Sequence, residues 1–261
     1  MRGSLKGIGT TLFASVRDLP DTSNLAVIEP TQIATLLGSP EIGGQWNSSA
    51  AHLGDLCQIA DKKTGAVNPG DRRALFYLIK ALRPGRVLEI GSHVGASTVY
   101  IAAAMDPGSR LTTLDVKDVN DGASAYWRAA GLQRSPKQMI SELNRELDVS
   151  FITSDSIAFL YKTDLRFDFV FLDGDHSLKT VITEIHKLLT VLNKNGVILL
   201  HDYFPDRKPL WSDGSVVTGP VEAVEELRRR GARLKAVPFR ALPWATKLGS
   251  HLTSLAILVR D

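Results

Sequence analysis

The sequence predicts an α/β domain in which a mostly parallel sheet is doubly wound, with helices on both faces, and three observations predict it. From residue 71 onward, segments with helical apolar spacing alternate with short strand-like runs, the pattern of a parallel sheet covered on both sides. A strand, a glycine-bearing turn and a helix follow one another from Glu89 to Ser97. Length allows a substantial core, in one large domain or two small ones, and composition is that of a globular chain, with 44% of the 261 residues hydrophobic and 23% charged.

The elements follow in order. Arg72 to Leu82 carries Ala74, Leu75, Leu78, Ile79 and Leu82 at helical spacing, and Pro84-Gly85 stops it. Arg86 to Ile90 reads as a first, buried strand, and Ser97 to Ala104 as the helix it feeds. Leu111 to Val116, Val149 to Thr153, Phe167 to Leu172 and Gly196 to Leu200 read as the second to fifth strands. Between the last two, Val181, Ile182, Ile185, Leu188, Leu189 and Leu192 form the apolar stripe of a helix from Leu178 to Leu192, with Asn195-Gly196 as the turn after it. Beyond residue 202, a long loop containing Pro and Trp leads to a helix from Pro220 to Arg230 with proline in its first turn. Arg233 to Phe239 and Ser254 to Val259 then close the sheet as a hairpin-like pair. Residues 1 to 50 are weakly patterned and rich in Gly, Ser, Pro and Thr, so an arm, a lid and a homodimer contact all fit them.

Several classes of function are set aside at this level. The longest apolar runs, such as Val197 to Leu200, fall far short of the ~20 residues that span a bilayer. Arg2 and Lys6 are not followed by a sustained apolar stretch with a cleavage site, so the expectation is a cytoplasmic protein without a membrane partner. The single cysteine, Cys57, reads as a small hydrophobe. A formal charge of +3 is spread along the chain. Its one dense cluster, Arg228-Arg229-Arg230, falls at a helix end where cations complement the dipole, so no nucleic-acid partner is expected.

The turn from Gly91 to Gly95 is the first place to look for a ligand, because backbone N–H groups and a helix N-terminus converge there. Its Gly-x-x-x-Gly spacing lacks the third glycine of the dinucleotide fingerprint, which counts against an NAD-dependent oxidoreductase. Asp115, at the end of the second strand, is placed to accept hydrogen bonds from both hydroxyls of a ribose. Without such a partner, the glycines read as a tight connection only.

A second group stands at the ends of strands four and five: Asp173, Asp175 and His176 on one, His201 and Asp202 on the other. Strand ends of one edge face a common crevice in an open parallel sheet, so these groups can converge. Carboxylates with an imidazole suit a divalent cation, with carboxylate oxygen favouring Mg²⁺ or Mn²⁺ and histidine favouring transition metals. The alternatives are a strand-end His201 hydrogen-bonded to Asp202, an Asp173 that orients its loop, and an Asp175 at a helix N-terminus. Tyr203, Trp211 and Trp244 suit either acceptor stacking or packing, and the insertion with Tyr126, Trp127 and Ser135-Pro136-Lys137 suits a pocket wall.

Glu-x-Gly-x-x-x-Gly-x-Ser, the acidic residue ending the next strand and Phe171-Leu172-Asp173-Gly174-Asp175-His176 together resemble the class I S-adenosylmethionine-dependent methyltransferases, in particular metal-dependent small-molecule O-methyltransferases of the catechol and macrolide-sugar kind. The likeness covers about residues 67 to 202. It implies a Rossmann-like seven-stranded sheet of order 3-2-1-4-5-7-6 with an antiparallel last strand, on residues 67–261, behind an arm or lid of helices on residues 1–66. It further implies that Glu89, Gly91, Ser92 and Gly95 shape the donor pocket, Ser97 bonds the donor's carboxylate, Asp115 its ribose and Asp155-Ser156 its adenine edge. Val67-Asn68 would close over the donor, and Asp173 would serve both donor and catalysis. Asp173, His201 and Asp202 fall on the metal-ligand positions and His176 on the general base. His201 departs from the family's usual Asp or Glu, which bears on whether the metal is Mg²⁺. The implied activity is methyl transfer to a small-molecule acceptor, with a donor-binding regulatory module that does no chemistry as the alternative.

Overall fold

The computed structural model describes residues 19–57, 65–122, 126–143, 145–208, 214–247 and 249–261. Helices α1 (Pro30–Leu37), α2 (Pro40–Cys57) and α3 (Pro69–Leu82) precede β1 (Arg86–Ile90), and α4 (Ala96–Ala104) leads to β2 (Arg110–Asp115). Then come α5 (Tyr126–Ala129), α6 (Pro136–Glu142), β3 (Asp148–Thr153), α7 (Ser156–Lys162), β4 (Phe167–Leu172), α8 (Leu178–Val191) and β5 (Leu192–Leu200). The chain closes with α9 (Gly219–Arg229), β6 (Leu234–Pro238) and β7 (Ala256–Arg260).

The seven strands lie in the order β3-β2-β1-β4-β5-β7-β6. Those from β3 to β5 pair in parallel, whereas β7 runs antiparallel to both β5 and β6. Period-2 alternation divides the core between the two faces. Val87, Phe169, Phe171 and Leu199 pack with α3 and α4, while Leu88, Ile90, Val170, Leu172 and Leu200 pack with α8 and α9. Every residue of α4 is buried, and for that reason it shows no amphipathic stripe in the sequence.

Most expected elements stand within a few residues of their expected ends. Helix α3 starts earlier than expected, at Pro69, because Asn68 caps it by accepting the Asp71 N–H at 2.9 Å. Asn195-Gly196 does not precede the fifth strand but lies inside β5, where Asn195 takes φ 61° and the pairing with β4 shifts register. Helix α2 forms in spite of Gly43, Gly44, Ser48, Ser49 and Gly54, since burial of Ile42, Leu53, Leu56 and Cys57 outweighs their poor helix propensity. These residues and Ile33 and Leu37 of α1 join the core formed by α3 and α4, so packing continues across position 67. Cys57 is 2% exposed, and burial pushes its thiol up to about 11. At the other end, Arg229 and Arg230 pair with Glu226 at 2.6 Å each. Among the described residues, no helix is long and apolar enough to cross a membrane.

Candidate active site

The glycine turn joins the carboxyl end of β1 to α4, and its geometry begins with protein packing. Gly91 and Gly95 have φ of 101° and 81°, values that L side chains rarely adopt. A Cβ on Gly91 would meet the Asp173 carbonyl oxygen at 2.1 Å, and one on Gly95 would meet Pro136 Cβ at 2.7 Å. Both glycines are therefore required by close approach of β4 and α6. His93, between them, is also left-handed at φ 47°. Its N–H donates to Asp115 Oδ2 at 3.0 Å, and the Lys117 N–H donates to Oδ1 at 3.1 Å. Each Asp115 oxygen thus holds one backbone donor and keeps a second acceptor direction, which fits the two hydroxyls of a ribose. Val116, next to it, is 65% exposed and presents an apolar surface.

Beneath the turn, Glu89 is 0% exposed and its Oε2 accepts from the Thr98 and Thr113 hydroxyls at 2.6 Å each. Burial lifts its carboxyl to about 7, against the hydrogen bonds of Ser97, Thr113 and Thr98. Ser92 Oγ lies 2.5 Å from Thr113 Oγ1. Glu89, Ser92 and Ser97 accordingly brace the turn from behind, tying β1, β2 and α4 together.

The insertion between β2 and β3 packs over the turn. Tyr126 of α5 packs on His93 with ring centroids 4.5 Å apart and planes tilted by 47°, and Pro136 of α6 sits over Gly95. At the end of β3, Asp155 is exposed and caps α7 through the Ala158 N–H at 2.8 Å. The Ser156 hydroxyl is buried and donates to Glu184 Oε1 at 2.5 Å, so it is committed within the protein. Val67 is buried, and Asn68 donates to Asp71 Oδ2 at 2.6 Å besides capping α3.

The ends of β4 and β5 bring together what the sequence separates. Asp173, His201 and Asp202 each offer one ligand atom, and these atoms lie within 4.8 Å of one another. His201 Nδ1 is 2.9 Å from Asp173 Oδ1 and 3.3 Å from Asp202 Oδ1. Both carboxylates stand at ion-pair distance, yet neither makes a well-aligned hydrogen bond to this buried nitrogen. Two carboxylates around an unsatisfied imidazole nitrogen fit a divalent cation. Burial would lower the His201 pKa, but Asp173 and Asp202 outweigh it and hold the ring well above the ordinary histidine value. Burial likewise opposes ionisation of Asp202, yet His201 brings its carboxyl down to about 2.

His176 Nε2 stands 3.2 Å from Asp202 Oδ2, with its side chain 38% exposed. Gly219, at the start of α9, holds the His176 backbone in place, since a Cβ there would meet the His176 carbonyl oxygen at 1.9 Å. Asp202 itself is left-handed at φ 52°, and its N–H donates to Ser254 Oγ at 3.1 Å. Asp175 is not one of the three clustered ligands, and its Oδ1 accepts the Ser177 N–H at 2.5 Å.

Of the aromatics, Tyr203 is buried in the core, and Trp244 donates to the Gly70 carbonyl at 2.9 Å and packs on Tyr77. Trp211 lies outside the described residues. Sequence reasoning missed Asp71, Glu184, Ser254 and Gly219, all of which act through tertiary contacts. Only Asp71 had a local signature, an acidic residue in a first helical turn, and that signature points to solvent rather than to the interior.

Residues 88–203 match a family described as a methyltransferase domain. Among curated proteins, a transmembrane O-methyltransferase homolog of Rattus norvegicus is 35% identical over 83 residues, which is 31% of this chain and 32% of that protein. A caffeoyl-CoA O-methyltransferase of Stellaria longipes is 26% identical over 162 residues, 59% of this chain and 58% of its own. The chain thus spans only about a third to three fifths of the length of such relatives. The structure of an O-methyltransferase from Bacillus cereus in complex with SAH superposes with a TM-score of 0.55 at 18% identity, covering 88% of this chain and 100% of that one. The match to a methyltransferase domain runs across β1 to β5, the part of the sheet that carries the glycine turn and the Asp173, His201 and Asp202 cluster.

Proposed function

We propose that the protein transfers a methyl group from S-adenosylmethionine to a hydroxyl oxygen of a small-molecule acceptor, assisted by a divalent cation and a histidine base. One observation carries this reading: Asp173, His201 and Asp202 meet within ligand distance of one another, with His176 on Asp202, at the strand ends beside the Asp115-braced turn.

In this reading Asp115 takes the ribose hydroxyls, the Gly91–Gly95 turn receives the methionine part of the donor and Val116 supports the base. Asp155 and the Ser156 backbone border the adenine, while Val67 and Asn68 edge the pocket from the start of α3. Helices α1 and α2 pack against α3 on that side. The acceptor oxygen must lie in line behind the methyl, so that the C–S bond breaks as the C–O bond forms. With Nε2 facing the Asp202 carboxylate, His176 would keep the Nδ1 lone pair to take the acceptor's proton. A cation held by Asp173, His201 and Asp202 would lower the pKa of that hydroxyl by stabilising its oxyanion. The imidazole ligand favours Mn²⁺ or a later transition ion more than an all-oxygen site would. The setting we propose is cytoplasmic, without nucleic acid or membrane, and a homodimer through the N-terminal segment is compatible with it.

Calorimetry with S-adenosylhomocysteine tests the donor half, and no binding at high micromolar concentration removes it. A mass-shift screen of hydroxyl and amine compounds, with and without exhaustive chelation, tests the rest. Full donor affinity without any turnover would favour a regulatory module, and activity untouched by chelation would remove the cation.

A further inference from the structure

The side of His201 turned away from the candidate cation site meets a second carboxylate. Its Nε2 lies 3.3 Å from Asp71 Oδ2, on the first turn of α3 and outside the matched residues 88–203. Asp71 is 0% exposed, which is uncommon for an acidic residue at a helix start. It is held from two other parts of the chain: Thr253 Oγ1 donates to Oδ1 at 2.5 Å, and Asn68 Nδ2 donates to Oδ2 at 2.6 Å. The imidazole is anchored as well, by its backbone N–H on the Leu172 carbonyl at 3.1 Å and by Phe171, edge-on with centroids 6.0 Å apart.

A histidine presents one lone pair when neutral, and the partner of one ring nitrogen decides which nitrogen carries it. We propose that Asp71 is a positioning residue: by accepting the His201 Nε2 hydrogen it directs the Nδ1 lone pair toward Asp173 and Asp202, making His201 a nitrogen ligand of their cation. This rests on the cation reading above and adds a carboxylate–histidine pair to it. A buried carboxylate serves this purpose where an oxygen ligand at position 201 would be repelled by it. Thr253 and Asn68 act one step further out, keeping Asp71 from rotating.

The test uses Mn²⁺ as probe on the full chain, by calorimetry and pulsed electron paramagnetic resonance, with S-adenosylhomocysteine affinity as the check on folding. The wild type is expected to bind Mn²⁺ and to show modulation from one directly coordinated ¹⁴N. Asp71→Asn and Asp71→Ala are expected to weaken Mn²⁺ roughly 10- to 100-fold, the range found when outer partners of metal ligands are removed. In Asp71→Ala the ¹⁴N modulation should be lost at saturating Mn²⁺, which mere loosening of the fold would not cause. Variants that bind Mn²⁺ within twofold of wild type with the ¹⁴N signal intact overturn the proposal while leaving the cation reading standing. Bound Mn²⁺ without a coordinated nitrogen in the wild type does the same, whereas a wild type that binds no Mn²⁺ overturns both. If the Asp71 variants fail to fold, Thr253→Val decides, since it removes one restraint on Asp71 and touches no ligand: a severalfold weaker Mn²⁺ affinity is expected, and a change under twofold overturns the proposal.

Discussion

Replacing Glu184 by Gln should change the pH dependence of stability more than stability itself. Glu184 on α8 is 0% exposed, its Oε1 takes the Ser156 hydroxyl, and its Oε2 has no hydrogen-bond partner. Burial, reinforced by Asp175 and Asp155 and opposed by the Ser156 hydrogen bond, lifts its carboxyl from 4.5 to about 8. Below pH 4.5 the folded and unfolded states both hold the proton, and no penalty arises. Above that, the unfolded chain releases it while the native state keeps it, so stability declines until the native carboxyl also ionises near pH 8. Between pH 5 and pH 8.5 the loss from this one group is on the order of 4 kcal/mol, at about 1.4 kcal/mol for each pH interval of one. Glutamine has no proton to exchange, and its unpartnered amide adds an offset of about 1–3 kcal/mol that does not vary with pH. Urea unfolding of both proteins across this range is the assay. Groups common to both, including Glu89, cancel in the difference. The variant should gain several kcal/mol on the wild type from pH 5 to 8.5, and two stability curves that run parallel refute the buried protonated carboxyl.

Other outcomes follow from the same structure. Asp115→Ala removes the ribose acceptor and the acceptor of the His93 and Lys117 N–H groups, so S-adenosylhomocysteine should bind more than tenfold more weakly by calorimetry. Asp202→Ala should abolish turnover and leave donor affinity largely intact, as measured side by side. Burial lowers the His201 pKa, but Asp173 and Asp202 outweigh it and raise it well above the ordinary histidine value. Mn²⁺ binding should thus expel about one proton, read from its heat in buffers of different ionisation enthalpy. Gly91→Ala should lower the melting temperature more than Gly95→Ala, because backbone blocks the first Cβ at 2.1 Å and side chains block the second at 2.7 Å.

Sequence periodicity made the sheet legible. Strands such as Phe167–Leu172 are short apolar runs buried on both faces, and α8 carries a clear stripe; both signals are local. The strand order came from the family likeness rather than from periodicity. The regions before α3 were harder, since Gly-rich α2 is helical through what it packs against. So were α5 and α6, whose place over the glycine turn is a matter of long-range contact.

The site divides in the same way. Glycines after a strand, an acid at the next strand end and paired acids and histidines two strands on are residue types at set spacings, and the chain displays them without folding. What each atom faces is different. The commitment of Ser156 to Glu184, the bracing role of Glu89 and the meeting of His201 with Asp71 join positions 28, 24 and 130 residues apart. Hydrogen-bond direction and burial exist only once those segments are brought within about 3 Å, so these assignments were decided by the tertiary structure alone.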